Sequence, residues 1–458
     1  NIITRPLLGN AAIKLADGSF GDRSLRAQVQ NLTIERSVST NDYTFGSGGI
    51  RSAADSELSA GRLVFAGGNG VWQTKLSASI VDHHLGDPGS VPLGFTTPSR
   101  ENSVSRDLFA SLTHRSSHAE TTLELGAASQ QFLFYCDNSS DPNCFTPSQA
   151  LTTDARLQAS LRNTVRFERS KLVYGIDLAR GVARLDDGAG DVTTNAYAQA
   201  ALYAEQTWLW GNADRAYAGI RAERDGAQGG IIAPAVGILS RLSPAVTLRA
   251  NYATAFRAPS AEDLYFPGGF GNPQLQPERM RVADVRLDDA SVLGGASIVW
   301  FSSKTTNKIV PDTNFVPQNI GHADIEGLTA EFKTPATHRL YGRINLTDLY
   351  RAIDATTNLR ISAAGPVFSV STELGFTGPP RSPVESWGLT TASRGAQYYA
   401  FSPAPAAGYT RIDAFVRFRF GDDALISLRV YNLGNHSISD VPGYPLPGRM
   451  FFIELATR

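Results

Sequence analysis

Between Ala155 and Phe167 the residues alternate. Ala155, Leu157, Ala159, Leu161, Val165 and Phe167 fall on one side, and Arg156, Gln158, Ser160, Arg162, Thr164 and Arg166 on the other. A period of two is the signature of a strand with one apolar and one polar face. The pattern recurs at Leu108–Leu112, Ala196–Trp210 and Val246–Tyr252, and again at Ile412–Phe420 opposite Arg411, Asp413, Arg417 and Arg419. Three arginines and an aspartate on one face suit a wet interior better than a packed core. Trp208 and Trp210 close their strand just before the turn Gly211–Asp214, where an interfacial aromatic girdle would place them.

Between the strands the connections alternate in length. Short turns read at Ser116–Ala119, Glu168–Ser170, Gly211–Asp214, Ser243–Ala245, Pro335–His338 and Gly421–Asp423. Long connections read at Gly46–Asp55, Asp87–Glu101, Asp137–Thr152, Gly268–Glu278, Pro311–Asn319 and Asp354–Pro380. Short on one side and long on the other is the rule of outer-membrane barrels. The pattern predicts an all-β fold, a transmembrane antiparallel β-barrel of about 22 strands with short periplasmic turns and long extracellular loops. A closed barrel also leaves no strand edge to protect.

Composition adds exclusions. The chain has 458 residues, 42% of them hydrophobic. It has no apolar run of about 18 residues, so no helix is expected to cross a membrane. A net charge of -1 argues against nucleic acid as a partner. Cys136 and Cys144 flank the polar stretch CDNSSDPNC, which reads as a disulfide-stapled loop in an oxidising compartment, with free thiols as the alternative. Gly67-Gly68-Asn69-Gly70 is a hairpin turn rather than a phosphate loop, because no helix follows it. His83 and His84 sit after the strand Val71–Ile80 and face opposite sides, which suits a bland loop edge better than haem ligation. No Gly-x-Ser-x-Gly or His-Glu-x-x-His motif occurs, so nothing supports an enzyme.

One stretch organises the rest. Asn251–Arg279, NYATAFRAPSAEDLYFPGGFGNPQLQPER, begins as an amphipathic strand and becomes a long loop rich in Gly and Pro. Its Ala255-Phe256-Arg257-Ala258-Pro259, Glu262-x-Leu264-Tyr265 and Gly271-Asn272-Pro273-x-Leu275-x-Pro277-Glu278 resemble the barrel signature of TonB-dependent outer-membrane receptors. Asn432-Leu433 with Gly443-Tyr444-Pro445-x-Pro447-Gly448-Arg449 is similar to that family's last hairpin. Asn1-Ile2-Ile3-Thr4 is similar to the junction between its plug and barrel.

The resemblance implies that residues 1–458 form a receptor barrel in the bacterial outer membrane. A plug domain and TonB box are expected upstream, and a terminal aromatic residue just after Arg458. It implies partners: outer-membrane lipid, TonB through the plug region, and a large scarce nutrient. Compactness leans towards cobalamin, with a ferric siderophore or haem as the alternative. A monomer is expected. Arg257, Tyr265, Phe266 and Phe270 are the candidate substrate contacts, since they supply charge and stacking area. The alternative is that they only order the loop. Asp137, Asp141 and Asp154 are weak calcium candidates, by analogy with cobalamin-type members. Two readings from other classes are a plugless structural barrel or passive pore, and a soluble β-rich binding protein.

Overall fold

In the computed structural model, the described residues run from 18 to 457, except 21–25, 40–42, 45–49, 52–54, 88–98, 137–148, 212, 227–228, 293, 313, 315, 335–338, 355–359, 362–364, 399–403 and 422–423. Twenty-one strands join into one sheet, each paired antiparallel with the next along the chain. Two small hairpins, at Tyr43–Thr44 with Ile50–Arg51 and at Ser439–Val441 with Tyr444–Pro445, stand apart from it. This is the all-β barrel wall that the alternation predicts, with a strand number near the expected 22.

The wall has an apolar outside and a polar inside. Outward positions include Leu108, Leu157, Leu202, Ile232 and Ile453, at 58 to 79% exposure. A soluble protein would bury such a surface, so its exposure over the whole wall fits a lipid-facing band. The opposite positions are polar and pair within and across strands. Arg221 meets Asp177 at 2.6 Å and Glu223 at 2.8 Å, and Arg411 meets Asp413 at 2.9 Å. Asn251 accepts from the Tyr217 hydroxyl and donates to Asp284 at 2.9 Å.

At the short-turn end, large apolar side chains form the expected girdle. Trp72, Phe167, Trp208, Trp210, Leu242, Trp387 and Phe420 all lie there and all are exposed. Trp72 packs on His114, and Trp387 stacks on Phe376. Turns here close on themselves: Ser116 N–H donates to the Ala119 carbonyl, and Phe167 N–H to that of Ser170, both at 2.8 Å.

Strand lengths differ around the wall. Strands Ser99–Arg115, Ala119–Cys136, Gln149–Arg166, Ser170–Asp186 and Val192–Trp210 have 17 to 19 residues. Their successors Asp214–Asp225, Gly229–Arg241, Val246–Arg257 and Glu278–Asp289 have 12 or 13. The step falls where Val192–Trp210 meets Asp214–Asp225. That ladder stops at the pair Gln199 and Asp225, so residues 192–198 have no partner strand on that side among the described residues.

Three expectations need correction. Pro311–Asn319 is not a long loop. The strands Ala296–Pro311 and Pro317–Lys333 pair up to Pro311 opposite Pro317, leaving residues 312–316 as the connection. Proline is tolerated at such a strand end, where no ladder donor is needed. Asp354–Pro380 is not one connection either, because the strand Phe368–Thr377 lies inside it. The strand carrying the histidine pair runs from Trp72 to Asp87, so His83 and His84 lie within it rather than at its edge. His83 hydrogen-bonds Ser56 at 3.0 Å and His84 meets Asp82 at 3.2 Å. The turn Pro335–His338 lies outside the described residues.

Candidate functional site

At the long-loop end, the connection 258–277 rises from the low side of the wall. It opens with Pro259, which is buried, and then turns into the short helix Ala261–Tyr265. The helix starts at Ser260 because the local sequence caps it twice. The Ser260 hydroxyl accepts from the Asp263 N–H at 3.0 Å, and the Asp263 carboxylate accepts from the Ser260 N–H at 2.9 Å. This reciprocal capping box satisfies donors that a helix start leaves open. The helix packs against Ser170–Asp186 and Val192–Trp210, the tall strands across the step. Gly268 comes close to Asp187 in the neighbouring turn. The loop thus leans sideways into the gap beside the unpaired edge of residues 192–198.

Leu264, Leu275 and Ile309 form a small apolar cluster under the loop, with Tyr265 packed against it. Around the cluster, polar contacts cross long stretches of chain. The Asn319 amide accepts from the Gln276 N–H at 2.7 Å and donates to the Gln276 and Asn307 carbonyls at 2.9 and 2.8 Å. The Asn272 amide donates to the Pro317 carbonyl at 2.9 Å. Glu278 accepts from the Ile309 N–H at 2.7 Å and from Arg257 at 3.0 Å.

The four candidate contacts are placed differently by this frame. Arg257 and Glu278 are the last rung of their strand pair, and Arg257 also meets Asp263 at 3.1 Å. The Glu278 hydrogen bond holds the Arg257 guanidinium above its ordinary pKa despite partial burial. Arg257 therefore ties the loop's start to its end while keeping about half of its side chain in solvent. Tyr265 is partly committed to the apolar cluster. Phe266 caps the helix C-terminus through its N–H to the Glu262 carbonyl. Phe270 stands free at 46% exposure, lifted by Gly268 and Gly269 in the left-handed region.

A second group at the same end is invisible in the local sequence. Arg360 lies over the Tyr398 ring at 5.5 Å, and Arg394 over Tyr409 at 5.7 Å. Arg394 also pairs with Asp440 at 2.6 Å and donates to Gln397. Arg394, Gln397, Tyr398 and Tyr409 lie along one connection and its strand ends, but Arg360 and Asp440 come from two others, so no run of arginines announces the group. Asn307, at φ 55°, was also missed. An Asn flanked by a strand run is the available signal, because Asn is the residue that most readily joins Gly at positive φ.

Among the described residues no cluster of three or more His, Cys, Asp or Glu could hold a metal ion. Of the calcium candidates, Asp154 accepts from the Tyr197 hydroxyl at 2.9 and 3.0 Å. Asp137 and Asp141 lie outside the described residues, as does Cys144, so the Cys136–Cys144 pairing does too.

The family model for the TonB dependent receptor-like β-barrel matches residues 14–433, nearly the whole chain. The chain belongs to this family. It is thus a barrel of the bacterial outer membrane and of a receptor family rather than an enzyme family. By sequence it is similar to the vitamin B12 transporter BtuB of Photobacterium profundum, 34% identical over 113 residues, which cover 22% of this chain and 18% of that one. The vitamin B12 transporter BtuB of Vibrio cholerae is 26% identical over 232 residues, covering 46% of this chain and 34% of that one. The matched stretches thus span 18% and 34% of these relatives. By fold the barrel is similar to the copper transporter OprC, with a TM-score of 0.80 at 16% identity, covering 99% of this chain and 79% of that one. It is also similar to the siderophore receptor PirA of Acinetobacter baumannii, with a TM-score of 0.76 at 14% identity over 95% and 76%.

Proposed function

We propose that this receptor barrel is the wall and outer vestibule of an importer that captures a large, scarce metal chelate and is energised by TonB through a plug. A ferric siderophore is the first reading. The observation that carries it is the gathering of Arg360 and Arg394 on Tyr398 and Tyr409 at the loop end, the end at which Phe270 is exposed and Arg257 half-exposed. Guanidinium groups on aromatic faces suit an anionic chelate with flat aromatic arms. Names among similarly folded proteins, including siderophore, ferric enterobactin and iron transporters, support the same class. Cobalamin is the second reading, favoured by the local sequence match to vitamin B12 transporters.

The barrel's part follows from its geometry. It supplies a rigid frame and a polar interior, while the loops supply contacts. Motion and gating would belong to the plug, because a wall whose strands are laddered one to the next by backbone hydrogen bonds resists deformation. Calorimetric titration of the full-length receptor tests the reading, with a panel of ferric siderophores and with cyanocobalamin, each with and without calcium. Tight binding of one ferric chelate supports it. Binding of cobalamin alone replaces the substrate and keeps the transport role, and no binding of either removes the metal-chelate class.

A further inference from the structure

The strand Val192–Trp210 outruns its neighbour Asp214–Asp225, and the step leaves a bare strand edge. The Ala204 and Ala198 carbonyls face the neighbour's side, where a side chain at Gly219 or Gly226 would meet them first. Backbone direction repeats every second residue, so Val192, Thr194 and Ala196 aim their N–H and C=O groups the same way. The ladder ends at Gln199 and Asp225. Above it, none of these backbone groups has a partner on that side among the described residues. On the other side, residues 192–198 are laddered to Ser170–Asp186 without a break.

Neighbouring segments leave this edge open. Asp225 already stands opposite Gly229, so residues 226–228 are too few to climb along it. A side chain at Gly229 or Gly230 would meet nothing within 4 Å. The loop 258–277 passes on the lumen face, at the buried Ala183, Leu185 and Asp187, and makes no hydrogen bond to the edge. A comparable overhang is treated differently. Ala296–Pro311 also outruns its neighbour, whose ladder stops at Arg279 opposite Thr306. There Glu278 accepts from the Ile309 N–H, and Asn319 donates to the Asn307 carbonyl.

Bare edges are usually blunted by charge, proline or a bulge. The segment Val192–Ala198, VTTNAYA, has none of these and is rich in strand formers. It also stands in water. Ala198 is twelve residues above Trp210, about 30 Å at the usual rise and tilt, which clears the apolar band. On the lumen face of the same segment, the buried Asn195 amide nitrogen has no acceptor.

We propose that this edge receives an extended polypeptide segment of an extracellular partner, which adds as a strand above Asp214–Asp225. Donors and acceptors that recur every second residue call for the same alternation in the occupant, and an extended backbone supplies it. The small exposed side chains of Thr194, Ala196 and Ala198 leave room for those of the added strand. The Asn195 amide selects an oxygen-bearing side chain on the lumen side. A second copy in the same membrane does not fit. Facing walls related by rotation about the membrane normal cross their strands at twice the tilt, roughly 80°, and cannot ladder. The inference rests on the outer-membrane barrel and not on the nutrient.

The test is hydrogen exchange of residues 192–198 in the full receptor in detergent. The probe is a nine-residue peptide of alternating Val and Thr with a central Gln, N-methylated at every second amide. One of its edges can then pair, and it cannot stack on itself. The control is the same peptide N-methylated at every amide. The probe should slow exchange in residues 192–198 by about tenfold, as an added ladder bond implies, and leave residues 170–186 unchanged. Ala196→Pro removes an edge donor and no ladder bond to Ser170–Asp186, since proline is tolerated where the N–H faces solvent. It should weaken probe binding, read by fluorescence anisotropy, by about tenfold, with nutrient titration unchanged. Heat-modifiable migration checks that the barrel is assembled. If the proline variant fails to assemble, Ala196→Lys carries the comparison by blunting the edge with charge. Asn195→Ala should weaken the Gln probe and not one with a central Val. Equal protection by the fully methylated control overturns the proposal. So does slow exchange of Thr194, Ala196 and Ala198 before any probe is added, or undiminished binding by the edge variant.

Discussion

The two ends of the wall are built by opposite means. At the short-turn end, several connections are closed by neighbours three residues apart, as in the bond from Asn69 to Trp72 or from Ser243 to Val246. At the mouth, the decisive contacts join residues far apart in sequence. Asn319 reaches Gln276, Asn272 reaches Pro317, and Ile309 reaches Glu278. A base made of local contacts forms with little loop-closure cost. A mouth made of distant contacts exists only once the strands have placed it, and its shape can change without disturbing the base.

Mutations should separate the two. The largest effect is expected from Gly271→Val, because a side chain there would meet the Phe266 nitrogen and Leu264 carbonyl at 2.6 and 2.7 Å. Such overpacking costs about 1–3 kcal/mol. Ligand affinity, read by titration, should fall by about tenfold or more, while heat-modifiable migration stays intact. Failure of barrel assembly would show that the loop and wall are one unit. Next is Asn319→Ala, which removes three hydrogen bonds at about 1 kcal/mol each. Amide exchange should quicken in residues 258–277 and not in the turns at Ser116 or Ser243.

Ser243→Ala probes the other end. Its hydroxyl accepts from the Val246 N–H at 3.1 Å, so unfolding stability should drop by about 0.5–1.5 kcal/mol with ligand affinity unchanged. The smallest effect is expected from Glu278→Gln. The amide oxygen can still accept from Ile309, and only the half-exposed ion pair with Arg257 is lost, worth about 0.2–1 kcal/mol. The difference from wild type should shrink as salt rises, since exposed pairs are screened. A difference that ignores salt would mean that Arg257 acts through packing rather than charge.

The wall was legible because a strand repeats its message every second residue, and the lipid face makes that message plain in stretches such as Ala155–Phe167. The tryptophans before Gly211 were legible for the same reason. The helix Ala261–Tyr265 was not read, being too short to show a 3.6-residue period. Its one local sign was Ser260 three residues before Asp263, the spacing of a capping box. Phe368–Thr377 was hidden because glycine and proline on both sides gave the segment the look of a loop, although Phe368, Val370, Leu374 and Phe376 do alternate. Of the candidate site, the loop was found and two of its residues, Arg257 and Phe270, remain open to solvent. The partners that fix the loop, Asn307 and Asn319, could not be read, because their meaning depends on a strand pairing forty residues away. The same holds for Arg360 and Arg394.

The step in strand length gives the rim a profile. Strands of 17 to 19 residues beside strands of 12 or 13 differ by about 10–18 Å in height at the usual rise and tilt. Levelled at their aromatic feet, the taller strands stand above the membrane like a raised collar, and the shorter ones leave it cut low on one side. The loop 258–277 hangs in that notch. On this side of the wall the rim is therefore uneven, with the loop 258–277 lying in a low stretch between the tall strands Val192–Trp210 and Ala296–Pro311.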